Sequence, residues 1–178
     1  ETDLIRLLSN SPLQIEIDFL QLKSHTSKNT PIEHMMAFYK NFDEIKKSNY
    51  DGMIITGAPV EQLEFEAVKY WNEVTGIFDW ARNHVTSTLY ICWAAQAGLF
   101  HFYGVPKYPL QEKMFGVFDH TVTDANEPLL RGFDDAFTAP HSRHTTIYAA
   151  DIEANKNLKL LSTSDDAGVY IVMSTDRR

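Results

Sequence analysis

Apolar positions follow two different periods along the chain. Phe65, Val68, Trp71, Val74, Phe78 and Ala81 recur every three or four residues, which predicts one long helix over residues 64–84. Shorter patterns precede it. LIRLL at 4–8 reads as a short helix, and QIEIDFL alternates apolar and charged residues, predicting a strand over 13–20. Residues 34–47 read as a second helix. DGMIIT at 51–56 reads as a short buried strand closed by the turn Gly57-Ala58-Pro59. Beyond the long helix, Leu89, Tyr90 and Ile91 form the end of a buried strand, and Ala94, Ala95 and Ala97 the start of a close-packed helix. Alternating strands and helices of this kind predict an α/β fold, a mostly parallel sheet flanked by helices.

The pattern changes after Tyr103. Residues 105–109 read as a loop, 112–122 and 135–139 as extended chain, and 158–162 with 169–174 as a β pair across Asp165-Asp166-Ala167-Gly168. The C-terminal part is therefore expected to be β-rich. With no internal repeat, low-complexity tract or linker, residues 1–178 are expected to form a single domain.

Charge and composition narrow the partners. Sixteen Lys and Arg against 24 Asp and Glu leave a formal charge of −8, and the basic residues are not clustered, so nucleic acid is not an expected partner. No apolar run approaches the roughly 20 residues that span a bilayer, and ETDLIRLLSN lacks the basic and apolar regions of a signal peptide. One cysteine and no Cys/His cluster with zinc spacing exclude a disulfide framework and predict no metal site. These features point to a cytoplasmic protein without a membrane partner.

The single cysteine, Cys92, falls between the strand ending at Ile91 and the helix beginning near Ala94. A free cysteine is most often inert packing. A strand-to-helix turn at the carboxyl edge of a parallel sheet, however, is where open α/β folds place ligands and nucleophiles. There the helix N-terminus favours a thiolate, and the backbone N–H of Trp93 is available to an oxyanion. A nucleophilic thiol needs a base, and the histidines are His25, His34, His84, His101, His120, His141 and His144. His34 and His84 sit on predicted helices, and His101 lies well beyond Cys92 on its helix, pointing away. His120, His141 and His144 lie in irregular or extended segments where a site could be assembled, with no carboxylate at short spacing to orient any of them. In APHSRH, Ser142 can donate or accept a hydrogen bond and Arg143 can clamp a carboxylate.

Seven stretches, taken together, resemble the homoserine O-acyltransferases, also called homoserine transsuccinylases. They are DLIRLLSNSPLQ (3–14), NTPIEHMMAFYKNF (29–42), DGMIITGAP (51–59), HVTSTLYICWAAQAG (84–98), YGVPK (103–107), RGFDDAFTAPHSRH (131–144) and VYIVMSTDRR (169–178). The resemblance implies a class I glutamine-amidotransferase-like, flavodoxin-like fold with a cysteine on a nucleophile elbow. It places Cys92 as the residue that takes an acyl group from acyl-CoA as a thioester and passes it to an amino-acid hydroxyl. Lys113 and Ser142 match positions that contact substrate, with Arg143 beside them, and Glu61 matches the position that governs acyl choice. No cofactor is implied beyond acyl-CoA as substrate, and a homodimer is expected.

Glu61 carries a physical argument of its own. A succinyl group ends in a carboxylate, which a second carboxylate in the same pocket would repel, so Glu61 fits acetyl transfer. Family members carry the catalytic His and Glu in a GHPEY-like segment shortly after the position of Asp176-Arg177-Arg178, and a lysine-containing loop just before the first residue. The resemblance therefore expects N- and C-terminal parts outside these 178 residues, and little turnover from this stretch alone. The expected reaction is acetyl transfer from acetyl-CoA to L-homoserine at the start of methionine synthesis. Alternatives are L-serine as acceptor, succinyl as the acyl group, a thiol amidohydrolase or glutamine-amidotransferase-like activity, and a catalytically incomplete binding domain.

Overall fold

Among residues 2–24 and 38–178, which the computed structural model describes, the strands form three separate β-sheets. Residues 1–48 and 49–178 form two units. In the first, α1 (Thr2–Ser9) precedes β1 (Phe19–Gln21), which pairs in parallel with β2 (Tyr39–Asn41). The Phe19 and Tyr39 rings pack across that pair at 5.4 Å. A one-turn helix, α2 (Phe42–Ile45), follows directly, started by a capping box in which Asn41 Oδ1 accepts from Asp43 N–H and Glu44 accepts from Asn41 N–H.

Two expectations for this unit need correction. Of the alternating run 13–20, only Phe19 and Leu20 find a partner strand, and Ile15 and Ile17 are exposed. Of the expected helix over 34–47, Phe38 and Phe42–Ile45 are helical, the strand Tyr39–Asn41 interrupts them, and Lys46 and Lys47 form a turn; residues 34–37 lie outside the described residues.

The second unit begins with a β-α-β crossover. β3 (Tyr50–Ile55) and β4 (Val85–Tyr90) pair in parallel, joined through α3 (Trp71–His84). The helix starts later than its apolar period suggests. Phe65–Ala67 is a 3₁₀ turn, Val68 is extended (φ −72, ψ 123), and Lys107 Nζ captures the carbonyls of Glu61 and Leu63, both at 2.5 Å. The inward set survives this break: Phe65, Val68, Val74, Phe78 and Ala81 are all buried. Leu89, expected to be buried, is 56% exposed, whereas Val85 on the same strand is in the core.

β4 runs through Ile91 and Cys92 into α4 (Trp93–Tyr103). The helix sits close on its own strand at Gly98, where a Cβ would meet the Tyr90 ring at 3.2 Å. The remaining chain forms a four-stranded antiparallel sheet in the order β6-β5-β7-β8, built from β5 (Tyr108–Val122), β6 (Ala136–Thr146), β7 (Leu158–Ser164) and β8 (Gly168–Ser174). A short helix, α5 (Ala149–Glu153), connects β6 to β7. This is the expected β-rich part, with two strands longer than expected. β5 takes in Tyr108 and Pro109, which read as loop, and β6 runs on so that APHSRH lies wholly within it. Near the C-terminus, Asp176 pairs with Arg82 of α3, whose guanidinium stacks over Phe102 of α4 at 4.1 Å.

Candidate active site

Cys92 occupies a backbone conformation that few residues other than glycine adopt, φ 60 and ψ −125, and it is exposed. The parallel ladder holds it from one side, since Ile91 N–H donates to Ile55 O at 2.9 Å, just past the last β3–β4 pair. The helix holds it from the other: the Cys92 carbonyl accepts from Ala95 N–H at 3.1 Å and Gln96 N–H at 3.4 Å. The Trp93 N–H belongs to the first turn of α4, where donors have no partner within the helix, and so stands ready for an anion. This is the strained strand-to-helix turn of a nucleophile elbow.

Gly57, in the turn after β3, makes the elbow possible. A Cβ there would lie 2.9 Å from Cys92 Cβ, 3.0 Å from Trp93 N and 3.1 Å from Cys92 Sγ. The TGAP turn thus lies against both the thiol and the candidate oxyanion donor.

A second layer ties this turn to β6. One Glu61 carboxylate oxygen accepts from His144 N–H at 3.0 Å, and the single proton of Thr145 Oγ1 is shared between Gln96 Oε1 at 2.9 Å and that Glu61 oxygen at 3.4 Å. Lys107 fixes the same segment through its carbonyls and lies 4.4 Å over the Phe65 ring. Burial pulls the Lys107 ammonium down from its usual pKa, against the charges of Glu64 and Glu61.

Arg143 completes the charge arrangement. Its side chain donates to Thr145 O at 2.8 Å, to Ala167 O, and through Nε to His141 Nδ1 at 3.2 Å. Burial lowers its pKa, while Glu61 and Cys92 act the other way; Thr145, whose carbonyl it holds, donates to Gln96, and Gln96 N–H donates to the Cys92 carbonyl. Burial, then Arg143, then His120 hold the His141 imidazole down to about 4.

The hairpin register separates the three residues that the resemblance groups together. Met114 pairs with Arg143 and Phe115 with Ser142, so the faces alternate. Arg143 lies on the inner face with His141. Ser142 and Lys113 share the outer, exposed face, where Lys113 Nζ stands 5.3 Å over the Phe115 ring. Glu61 and Arg143 thus join the Cys92–Trp93 turn through Thr145 and Gln96, and Lys113 and Ser142 lie on the other face of the hairpin from Arg143. His84 and His101 are engaged elsewhere, with Trp80 O and Asp79, and His25 and His34 lie outside the described residues. Among the described residues no hydrogen bond joins Cys92 to a histidine, and no cluster of three metal-ligating side chains occurs. Among those same residues, no helix is long and apolar enough to cross a membrane.

Gln96, Thr145 and Lys107 escape the sequence patterns, because each acts through long-range pairing. Gly57 is visible there only as a turn residue.

The family model for homoserine O-succinyltransferase matches residues 1–178. The chain belongs to that family. Similar relatives carry a different acyl name: homoserine O-acetyltransferases of Phocaeicola vulgatus and Bacteroides thetaiotaomicron are each 65% identical over all 178 residues, and one of Brevibacillus brevis is 60% identical. The chain spans 58% of the length of each of these three relatives. A putative GMP synthase subunit from Thermoplasma acidophilum superimposes with a TM-score of 0.57 at 15% identity, over 92% of this chain and 81% of that one. The family chain therefore has the glutamine-amidotransferase-like fold that its elbow suggests.

Two outcomes follow from this geometry. Gly57→Ala forces the TGAP turn away from Cys92 and is expected to destabilise the protein by about 1–3 kcal/mol, measured by urea denaturation; an unchanged midpoint would contradict the close approach. The folded protein keeps His141 neutral down to about 4, whereas the unfolded chain protonates it near 6.5. The unfolded state therefore binds more protons in that window, and stability should fall as pH drops from 6.5 towards 4. His141→Asn should flatten the denaturation midpoint across the same range.

Proposed function

We propose that this chain moves an acetyl group from acetyl-CoA to the side-chain hydroxyl of L-homoserine through a thioester on Cys92. The observation that carries the reading is the exposed Cys92 elbow with the Trp93 N–H at its helix start, in a chain of the homoserine O-succinyltransferase family. The names of the similar relatives support homoserine as acceptor and acetyl as cargo.

In the first half-reaction the Cys92 sulfur attacks the thioester carbonyl, its S–C bond forms, and the bond to coenzyme A sulfur breaks. The proton that the Cys92 thiol gives up ends on the departing sulfur. The transient oxyanion accepts from the Trp93 N–H, and Arg143 supplies positive charge from the hairpin. In the second, the homoserine hydroxyl loses its proton as its oxygen bonds the acyl carbon, and the Cys92 S–C bond breaks to restore the thiol. Glu61 supports acetyl selection, because its carboxylate is held by His144 N–H and Thr145 and would face the terminal carboxylate of a succinyl group.

Denaturing intact mass of the full chain tests this. Acetyl-CoA without acceptor should add one acetyl group to the wild type and none to Cys92→Ala, and L-homoserine should discharge the adduct faster than L-serine. Glu61→Gly should shift the ratio of acetyl to succinyl adduct at least about ten-fold towards succinyl. An adduct on Cys92→Ala would overturn the thioester, and unchanged acyl preference would remove Glu61 from the account.

A further inference from the structure

The inner face of the β5–β6 hairpin carries two histidines that the proposed chemistry leaves unused. His120 is fully buried and His141 is 8% exposed, and their Nε2 atoms are 2.9 Å apart with the rings nearly coplanar, 4° between planes. Phe137 stacks on His120 at 5.6 Å, and Tyr170 of β8 packs against both rings. Phe118 meets His141 edge-on at 5.6 Å. Among the described residues, the charged or titratable groups facing the pair are Arg143 and Tyr170.

Donor chemistry leaves one arrangement of protons. Arginine Nε can only donate, so His141 Nδ1 is the acceptor of the 3.2 Å bond from Arg143 and bears no proton. A neutral His141 then carries its proton on Nε2 and donates it to His120 Nε2. His120 in turn carries its proton on Nδ1, which donates to Phe118 O at 2.9 Å. Every bond points the same way, from Arg143 through two rings to a β5 carbonyl. Protonating His141 at Nδ1 would turn the Arg143 acceptor into a donor and set two cations side by side.

We infer that His120 and His141 are positioning residues: a one-way hydrogen-bond chain that sets the Arg143 guanidinium plane, which Thr145 and Gln96 connect to the Cys92 turn. Two carbonyls, Thr145 O and Ala167 O, hold the outer nitrogens of Arg143, and His141 is the third tether, the one that fixes Nε. The consequence for acyl transfer rests on the Cys92 reading above, but the effect on the sulfur does not. Alkylation of Cys92 by iodoacetamide reports the charge around it whatever its biological acceptor.

The experiment is therefore a reactivity cycle on the full chain at neutral pH. Arg143→Leu and His141→Leu should each slow Cys92 alkylation about five-fold, the double variant should be no slower than Arg143→Leu alone, and His141→Asn, which keeps an acceptor, should recover most of the rate. Long-range ¹H–¹⁵N NMR on the wild type should show the Nε2–H form of His141 and the Nδ1–H form of His120, which decides the matter should His141→Leu not fold. Wild-type alkylation in His141→Leu beside a slow Arg143→Leu, additive losses in the double variant, or the opposite tautomer in either ring would overturn the inference. A wild type that alkylates as described yet takes no acetyl group from acetyl-CoA would instead count against the proposed reaction.

Discussion

The backbone of Cys92 is the constraint around which this site is arranged. A non-glycine residue at φ 60 and ψ −125 costs on the order of 1–3 kcal/mol, which only a surrounding structure that over-determines the turn can hold. Here the parallel ladder to Ile55 fixes the entry, the first turn of α4 fixes the exit, and Gly57 leaves room for both the sulfur and the Trp93 N–H. The strain serves chemistry, because it lifts the thiol clear of the sheet while keeping it at the positive end of a helix. Gly98 matters for the same reason: without a side chain there, α4 lies directly on Tyr90 and carries its N-terminus to the strand end.

The antiparallel hairpin supplies what the elbow lacks. Its inner face holds a half-buried cation, Arg143, tied through Thr145 to Gln96 of α4, and its backbone at His144 ties down the Glu61 carboxylate. A guanidinium drawn half out of water is costly unless its donors are met, and here two carbonyls and an imidazole nitrogen accept from it. Glu61, Gln96 and Thr145 then join the loop after β3, the start of α4 and the end of β6 in one network. Displacing any of the three elements would shift the others.

Much of this is legible in the sequence, and the limits have physical causes. The buried face of α3 and the place of Cys92 follow from local period and from the junction of β-branched with small residues. The start of α3 departs from its apolar period because Phe65–Ala67 closes as a 3₁₀ turn and Val68 after it is extended, so two separate pieces present the inward residues. The run at 13–20 looks like a strand because alternation reports a pleat and not a partner. APHSRH sets Ser142 and Arg143 side by side in sequence, but strand alternation sends adjacent side chains to opposite faces. The His120–His141 contact joins residues 21 apart in sequence, across a register that no local pattern records.

The central claim is that Cys92 itself carries the acyl group between two separate half-reactions. Exchange of isotopically labelled coenzyme A into acetyl-CoA, followed in the full chain with no amino acid present, tests it most directly. The account predicts exchange in the wild type without any acceptor, because the first half-reaction is complete and reversible on its own. Exchange that begins only when L-homoserine is added would contradict it, since acetyl would then pass from coenzyme A to the acceptor without resting on the sulfur.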